Sequence, residues 1–162
     1  MTLFSTFLRP GHRAAAPVES SNLLPWYAFD AAIERSLRML RGVHVPVSLF
    51  AIHLGGPSRH EATEAIGEAL NRFGPVGRLA DGGIGLLYLG PRATDESGDE
   101  ALTNHLHSRV VRRLRESGWT ALTRHMEFTA VHGWTDEMAS SADLVAELAR
   151  RRGKPAAGRG KH

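Results

Sequence analysis

The predicted fold rests on Val76-Gly-Arg-Leu-Ala-Asp-Gly-Gly-Ile-Gly-Leu-Leu-Tyr-Leu89. Two short strand-like runs, 76–79 and 84–89, flank the sequence Ala80-Asp-Gly-Gly83. Asp-Gly is among the strongest hairpin signals, because both residues accept a positive φ in a tight turn. The sequence therefore predicts an antiparallel hairpin near the middle of the chain, with Asp81 and Gly82 in its turn.

Helical and strand patterns alternate on both sides of this hairpin. Apolar residues recur at helical spacing in four segments, and runs of β-branched and aromatic residues indicate strands. The predicted helices cover about 25–41, 60–73, 99–117 and 138–152, and the further strands cover 45–54, 119–123 and 126–134. This order favours a single α/β domain of the α+β kind, with a central, mainly antiparallel sheet and helices packed on it.

Composition limits the function classes that remain. The chain has no cysteine, which excludes disulfides, thiolate catalysis and sulfur-ligated zinc. It has no apolar run near the roughly 20 residues of a membrane-spanning helix and no secretory signal pattern, so we expect a cytoplasmic location. The net charge is +3, but residues 150–162 contain six cationic residues and no acid, so the rest carries −3. We therefore expect only weak, nonspecific nucleic-acid contacts, made by the tail.

Three segments are predicted from these patterns. Residues 1–24 show neither helical nor strand periodicity and are expected to form a flexible arm. Residues 25–153 contain all the periodic segments and are expected to form the domain. Residues 154–162 are expected to form a basic, flexible tail.

The last predicted helix and the strand before it resemble a known family. Residues 142–154 follow the pattern Ala-Asp-x-Ala-Leu-Tyr-x-Ala-Lys-x-x-Gly-Arg, with outright matches at Ala142, Asp143, Ala149 and Gly153. Residues 128–133 resemble a Val-Thr-x-Ser-Ile-Gly strand. Both patterns are typical of GGDEF diguanylate cyclase domains of the nucleotide cyclase superfamily, and the likeness covers about 25–154. The resemblance implies a nucleotide-cyclase or ferredoxin-like core.

The signature hairpin is where this chain departs from that family. The family's Arg-x-Gly-Gly-Asp-Glu-Phe is matched by Arg78–Ile84, with glycines at both acidic positions. The degenerate signature hairpin comprises Arg78, Ala80, Asp81, Gly82, Gly83 and Ile84. The aspartates of the family's first strand fall on His53 and Gly55, and its guanine-recognition segment is missing. Since those carboxylates hold the metal in the family, the resemblance implies no metal, no cofactor and no catalysis.

Asp81 and His53 have two interpretations. They could share a metal ion if the end of the first strand adjoins the hairpin turn, as it does in the family. Mg²⁺, however, prefers several oxygen ligands, so one carboxylate and one imidazole are a poor cage. The favoured interpretation is that Asp81 shapes the turn by binding nearby backbone amides.

The leading functional hypothesis is a catalytically inactive GGDEF-like regulatory module that binds an unidentified protein, or a second copy of itself, in bacterial signalling or localisation. Trp26, Tyr27 and Trp134 are candidate interface residues, because Trp and Tyr dominate binding hot spots. They are equally suited to covering the edges of the core. One rival hypothesis is a sensor that binds a guanine nucleotide or cyclic di-GMP without turnover, and a weaker one is a nucleic-acid-binding module.

Overall fold

The computed structural model describes residues 22–55, 60–90 and 96–152. Within these ranges the chain forms four α-helices and four strands. In order these are α1 Trp26–Met39, β1 Pro46–His53, α2 His60–Leu70, β2 Val76–Arg78, β3 Ile84–Leu89, α3 Glu96–Glu116, β4 Glu127–Trp134 and α4 Ser141–Arg152. A 3-10 turn, Thr120–Arg124, precedes β4.

The strands form one sheet in the order β2-β3-β1-β4, and every neighbouring pair is antiparallel. In the centre of the sheet, Phe50 of β1 pairs with Leu86 of β3 on one side and with Ala130 of β4 on the other. The predicted hairpin joins β2 to β3. The predicted α+β fold, with an antiparallel sheet and helices packed on it, is confirmed.

Helices cover both faces of the sheet, which explains why β1 is mostly apolar on both of its faces. Because successive strand residues point to opposite faces, Phe50 and Ile52 face α2 and α3, while Leu49 and Ala51 face α1 and α4. Residues 47–53 of β1 are all buried. The first face is filled by Ile66, Leu70, Leu106, Val110 and Leu114, and the second by Phe29, Ile33, Leu37, Leu144 and Leu148.

Two paired glycines make room for the buried ring of Phe29 from α1. Gly77 of β2 and Gly85 of β3 are register partners, and the fully buried ring of Phe29 lies across both. A Cβ atom built on Gly77 would lie 2.4 Å from Phe29 Cβ, and one on Gly85 would lie 2.6 Å from Phe29 Cε2. Side chains at these positions would therefore displace α1 from the sheet.

The structure corrects two sequence expectations. Residues 119–123 were expected as a short strand, but Thr120–Arg124 is a 3-10 turn. The chain reverses at Gly118, where φ is +85°, and the Trp119 amide donates to the carbonyl of Leu114 over 2.7 Å. These local bonds satisfy the backbone without a neighbouring strand.

The end of the predicted arm also differs. Leu23 is buried in the core, and Leu24 pairs with β2 in a parallel bridge, so both belong to the domain. Residues 1–21 of the predicted arm and the whole predicted tail, 154–162, lie outside the described residues.

Of the helices in the described ranges, none is both long and apolar enough to span a bilayer.

Candidate functional site

The end of β1 adjoins the hairpin turn. Ile52 is the register partner of Ile84, which brings the next residue of β1, His53, beside the turn. His53 is only 8% exposed, and its Nε2 lies 3.0 Å from Asp81 Oδ2. The other oxygen, Asp81 Oδ1, accepts a hydrogen bond from the Gly83 amide over 3.0 Å. Asp81 therefore shapes the turn, as favoured from the sequence, and it also engages His53.

The two glycines of the turn are required for different reasons. At Gly83 a Cβ atom would lie 2.5 Å from His53 Nε2, so the imidazole occupies the space that any side chain there would need. At Gly82 a Cβ would have no heavy neighbour within 4 Å, but φ is +91°, where side chains are strained. The space next to residue 83 is thus filled by His53.

A cation reaches this cluster from the last residue of α4. Arg152 Nη1 donates to Asp81 Oδ2 over 3.2 Å, and its Nε donates to Glu127 Oε2 over 2.9 Å. One guanidinium therefore joins the turn, the start of β4 and the end of α4. We call His53, Asp81, Glu127 and Arg152 the hairpin ion cluster.

The charges of the hairpin ion cluster favour ionised carboxylates. Burial alone would raise the pKa of Asp81, but the Gly83 amide, His53 and Arg152 outweigh it and hold the pKa below its usual value. The hydrogen bond and the charge of Arg152 lower the pKa of Glu127. Both carboxylates are therefore anions that already have a cationic partner.

The hairpin ion cluster places His53 near Asp81 and joins Asp81 to Glu127 through Arg152. In the described ranges, no group of three or more His, Asp or Glu side chains is arranged to hold a metal ion. A cavity of about 190 Å³ lies beside the cluster, and its wall includes the apolar side chains of Leu79, Val145 and Leu148. The arrangement can hold an ion pair network and a small apolar group.

The remaining residues of the hairpin that was compared with the family signature make backbone or packing contacts, or are exposed. Arg78 donates its amide to the carbonyl of Leu24 over 2.8 Å, Ile84 is buried in the sheet, and Ala80 is exposed. Gly55, which lies just after β1, is also closely packed. A Cβ atom there would lie 2.7 Å from the Cβ of His125, so the backbone at Gly55 contacts the segment before β4.

The three candidate interface aromatics do not form one surface. Trp26 is partly buried against the α1 and α4 core, whereas Tyr27 is 77% exposed at the start of α1. Trp134 lies at the end of β4, at the sheet edge opposite β2, and its ring stacks on His44 at 3.9 Å between centroids. Of these three described residues, Tyr27 is the one with a largely exposed ring.

Sequence reasoning missed two members of the hairpin ion cluster. Arg152 was seen as part of a basic run, and Glu127 as an ordinary strand residue. The structure shows that the strand register puts Glu127 opposite His53 at the end of β1, a pairing that the two predicted strands do not specify by themselves. The contribution of Arg152 depends on how α4 packs on the sheet, which local patterns do not encode.

Comparison with solved structures identifies the fold of this chain. The structure of a DGC protein from Thermotoga maritima matches with a TM-score of 0.55 at 14% sequence identity, over 80% of this chain and 95% of that chain. This chain has a GGDEF-like fold. The GGDEF domain of PA1120 from Pseudomonas aeruginosa, a delta-N mutant, also matches, with a TM-score of 0.49 and 16% identity over 78% of this chain and 80% of that chain.

Sequence comparison alone gives no match for this GGDEF-like fold. No protein-family model matches the chain. No curated protein is similar enough in sequence to match it either. The GGDEF-like fold predicted from the residues is confirmed by structural similarity.

Proposed function

We propose that this chain is a catalytically inactive GGDEF-like regulatory module that acts by protein–protein interaction in bacterial signalling or localisation. The observation that carries the proposal is the hairpin ion cluster. At the position of Gly83 the family has an acidic side chain. In this chain the imidazole of His53 occupies the space that a side chain at Gly83 would need. The turn cannot accept that side chain while His53 stays in place.

Electrostatics support the same proposal. A divalent ion that binds a nucleoside triphosphate needs oxygen ligands that are available to it. Here Asp81 and Glu127 are both bound by the guanidinium of Arg152. A metal ion would have to displace this internal cation and would then find one imidazole and two carboxylates on separate elements. The chain therefore lacks available ligands for the divalent ion that a nucleoside triphosphate needs in order to react.

The test is product analysis. The full chain is incubated with GTP and either Mg²⁺ or Mn²⁺, and the nucleotides are separated by chromatography. We expect GTP to be recovered unchanged. The double substitution Gly82→Asp with Gly83→Glu serves as a matched variant, and we expect it to be destabilised without gaining activity, because His53 blocks position 83. Formation of cyclic di-GMP by the native chain would refute the proposal.

A second candidate function is a sensor for a guanine nucleotide or cyclic di-GMP. The observation that favours it is a cavity of about 270 Å³ between α2 and α3, lined by Arg109, Arg112 and Arg113 together with Glu68 and Glu116. The guanidinium of Arg109 lies over the ring of Phe73, 5.0 Å from its centroid. Such an arrangement suits an anionic ligand.

Calorimetry separates the two candidates. GTP and cyclic di-GMP are titrated separately into the native chain and into the variant Arg112→Glu. Stoichiometric heat that the substitution abolishes would favour the sensor. Absence of heat with both nucleotides would favour the protein-binding module.

A further inference from the structure

The two edges of the sheet differ in how they are covered. The β2 edge is three residues long and is paired with Leu24, whose amide donates to Val76 O over 2.9 Å and whose carbonyl accepts from Arg78 N over 2.8 Å. The opposite edge is β4, which is eight residues long. In the described part of the chain, no strand pairs with the outer side of β4.

The direction of the β4 backbone groups follows from one hydrogen bond. The amide of Thr135 donates to the carbonyl of Val45 over 2.9 Å, one step beyond the β1–β4 ladder. In an antiparallel pair, residues alternate between bonding to the partner strand and pointing away from it. Residues 127, 129 and 131 therefore bond to β1, while the N–H and C=O groups of Phe128 and Ala130 point to the outer edge.

A groove runs along this outer edge. Its volume is about 700 Å³, and its floor is formed by residues 126–130. One wall comes from α3, with Thr103, Asn104 and His107, and the other from the last turn of α4, with Arg151 and Arg152. The groove thus lies between two helices and has outward backbone groups at its base, which is the geometry for binding a peptide by strand addition.

The two walls have different chemistry. Phe128 and Ala130 pack towards the α3 side, where the ring of His107 meets that of Phe128 edge to face at 5.3 Å. On the α4 side the lining residues include two arginines, and Glu127 is the only acid that lines the described groove. Arg151 also pairs with Glu147, and Arg152 with Asp81 and Glu127, so an acidic residue of a ligand would share these guanidinium groups with the protein's own carboxylates. Since side chains of a bound strand alternate between the two sides of the sheet, alternate ligand residues meet Phe128 and Ala130 on the α3 side and the arginines on the α4 side.

We propose that the β4 edge binds an extended segment of a partner protein in which apolar and acidic residues alternate. This inference rests on the proposed function, because it names the surface and the partner class of the protein-binding module. A second copy of this chain fits less well, because pairing β4 with β4 brings two arginine-bearing walls together. The acidic residues of the partner face Arg151 and Arg152, and its apolar residues face Phe128 and His107.

The first experiment is fluorescence anisotropy with the full chain. The probe is a fluorescein-labelled heptapeptide of alternating Asp and Val, and its counterpart has Lys in place of Asp. We expect the acidic peptide to bind and the Lys peptide to bind about tenfold more weakly, which corresponds to about 1.4 kcal/mol. Arg151→Glu should reverse the preference, whereas Arg35→Glu, an exposed arginine on α1, should leave it unchanged. Absence of binding, or equal binding of both peptides, would overturn the inference.

The second experiment tests backbone pairing without changing the chain. The acidic peptide is N-methylated at alternate residues, which removes the amides that would donate to β4. We expect binding to be lost in one of the two methylation phases and the amides of Phe128 and Ala130 to exchange more slowly with the unmethylated peptide bound. Unchanged binding in both phases, or a dimer in sedimentation velocity that protects the same amides without peptide, would contradict the proposal. Neither result bears on GTP conversion, so failure here is distinct from failure of the proposed function.

Discussion

At the residue scale, the hairpin turn depends on the fit between Gly83 and the imidazole of His53. We predict that Gly83→Ala costs about 1–3 kcal/mol of unfolding free energy, because the new methyl group overlaps His53 Nε2. In a His53→Ala background the same change should cost much less, since the ring is gone. Urea denaturation of the four proteins in this double-mutant cycle measures the difference. Equal costs in both backgrounds would show that the ring is not what excludes a side chain.

Arg152 and Arg151 provide a matched pair for the next prediction. Arg152 joins Asp81 of the turn to Glu127 of β4, whereas Arg151 pairs with Glu147 of its own helix. Exposed ion pairs contribute about 0–1 kcal/mol, and a bridge between elements also holds the helix end in place. We predict faster amide exchange in the last turn of α4 for Arg152→Ala than for Arg151→Ala, measured by NMR. Equal exchange in the two variants would refute this role.

At the scale of elements, a side chain of α1 adds to the cap of α4, where Ser140 and Asp143 already exchange hydrogen bonds. The Ser141 amide donates to Glu34 Oε1 over 2.7 Å, and the Ser141 hydroxyl donates to the same oxygen over 2.8 Å. The hydroxyl also lies 2.7 Å from Asp30 Oδ1. A carboxylate from one helix thereby satisfies an unpaired amide at the start of another, where negative charge is favourable.

The contact between Glu34 and Ser141 makes a pH-dependent contribution to the stability of the fold. The Ser141 amide, followed by the Ser141 hydroxyl, lowers the pKa of Glu34. A lowered folded-state pKa means that the stabilisation is present above the ordinary glutamate value of about 4.3 and is lost as pH falls through the folded value. We predict that Glu34→Ala costs about 0.5–1.5 kcal/mol at pH 7, as loss of a hydrogen bond does, and less at pH 3. Denaturant unfolding of both proteins at the two pH values tests this, and a pH-independent difference would contradict it.

At the scale of the whole molecule, the domain begins before the predicted boundary at residue 25. Leu23 is 6% exposed, and Leu24 makes two backbone hydrogen bonds to β2. A chain that starts at residue 25 should be about 2–3 kcal/mol less stable than one that starts at residue 22, because burying one leucine contributes about this much. For a domain of this size, calorimetry should show a melting temperature lower by roughly 5–10 °C. Equal melting temperatures would mean that residues 22–24 do not stabilise the domain.

The sequence predicted the fold wherever local chemistry decides it. Asp81-Gly82 predicts the turn, although only Gly82 of the two has a positive φ. A continuous apolar run such as 49–52 indicates a strand covered on both faces. The contact between Arg152 and Asp81 joins residues 71 positions apart and depends on the packing of α4, so no local pattern predicts it. The burial of Leu23 was missed for the same reason, because a single leucine after an aperiodic segment has no periodic signal. The adjacency of His53 and Asp81 was foreseen only through the family resemblance.

The ring of Phe29 and the paired glycines beneath it have a consequence for how this protein diverges. A methyl group at Gly77 or Gly85 and a full phenyl ring at Phe29 cannot share the same volume. Homologues should therefore change these three positions together, with alanine or serine in either strand accompanied by a smaller side chain in the helix. Aligned descendants of this lineage would show the trio as a coupled evolutionary unit, even where the neighbouring core positions vary independently.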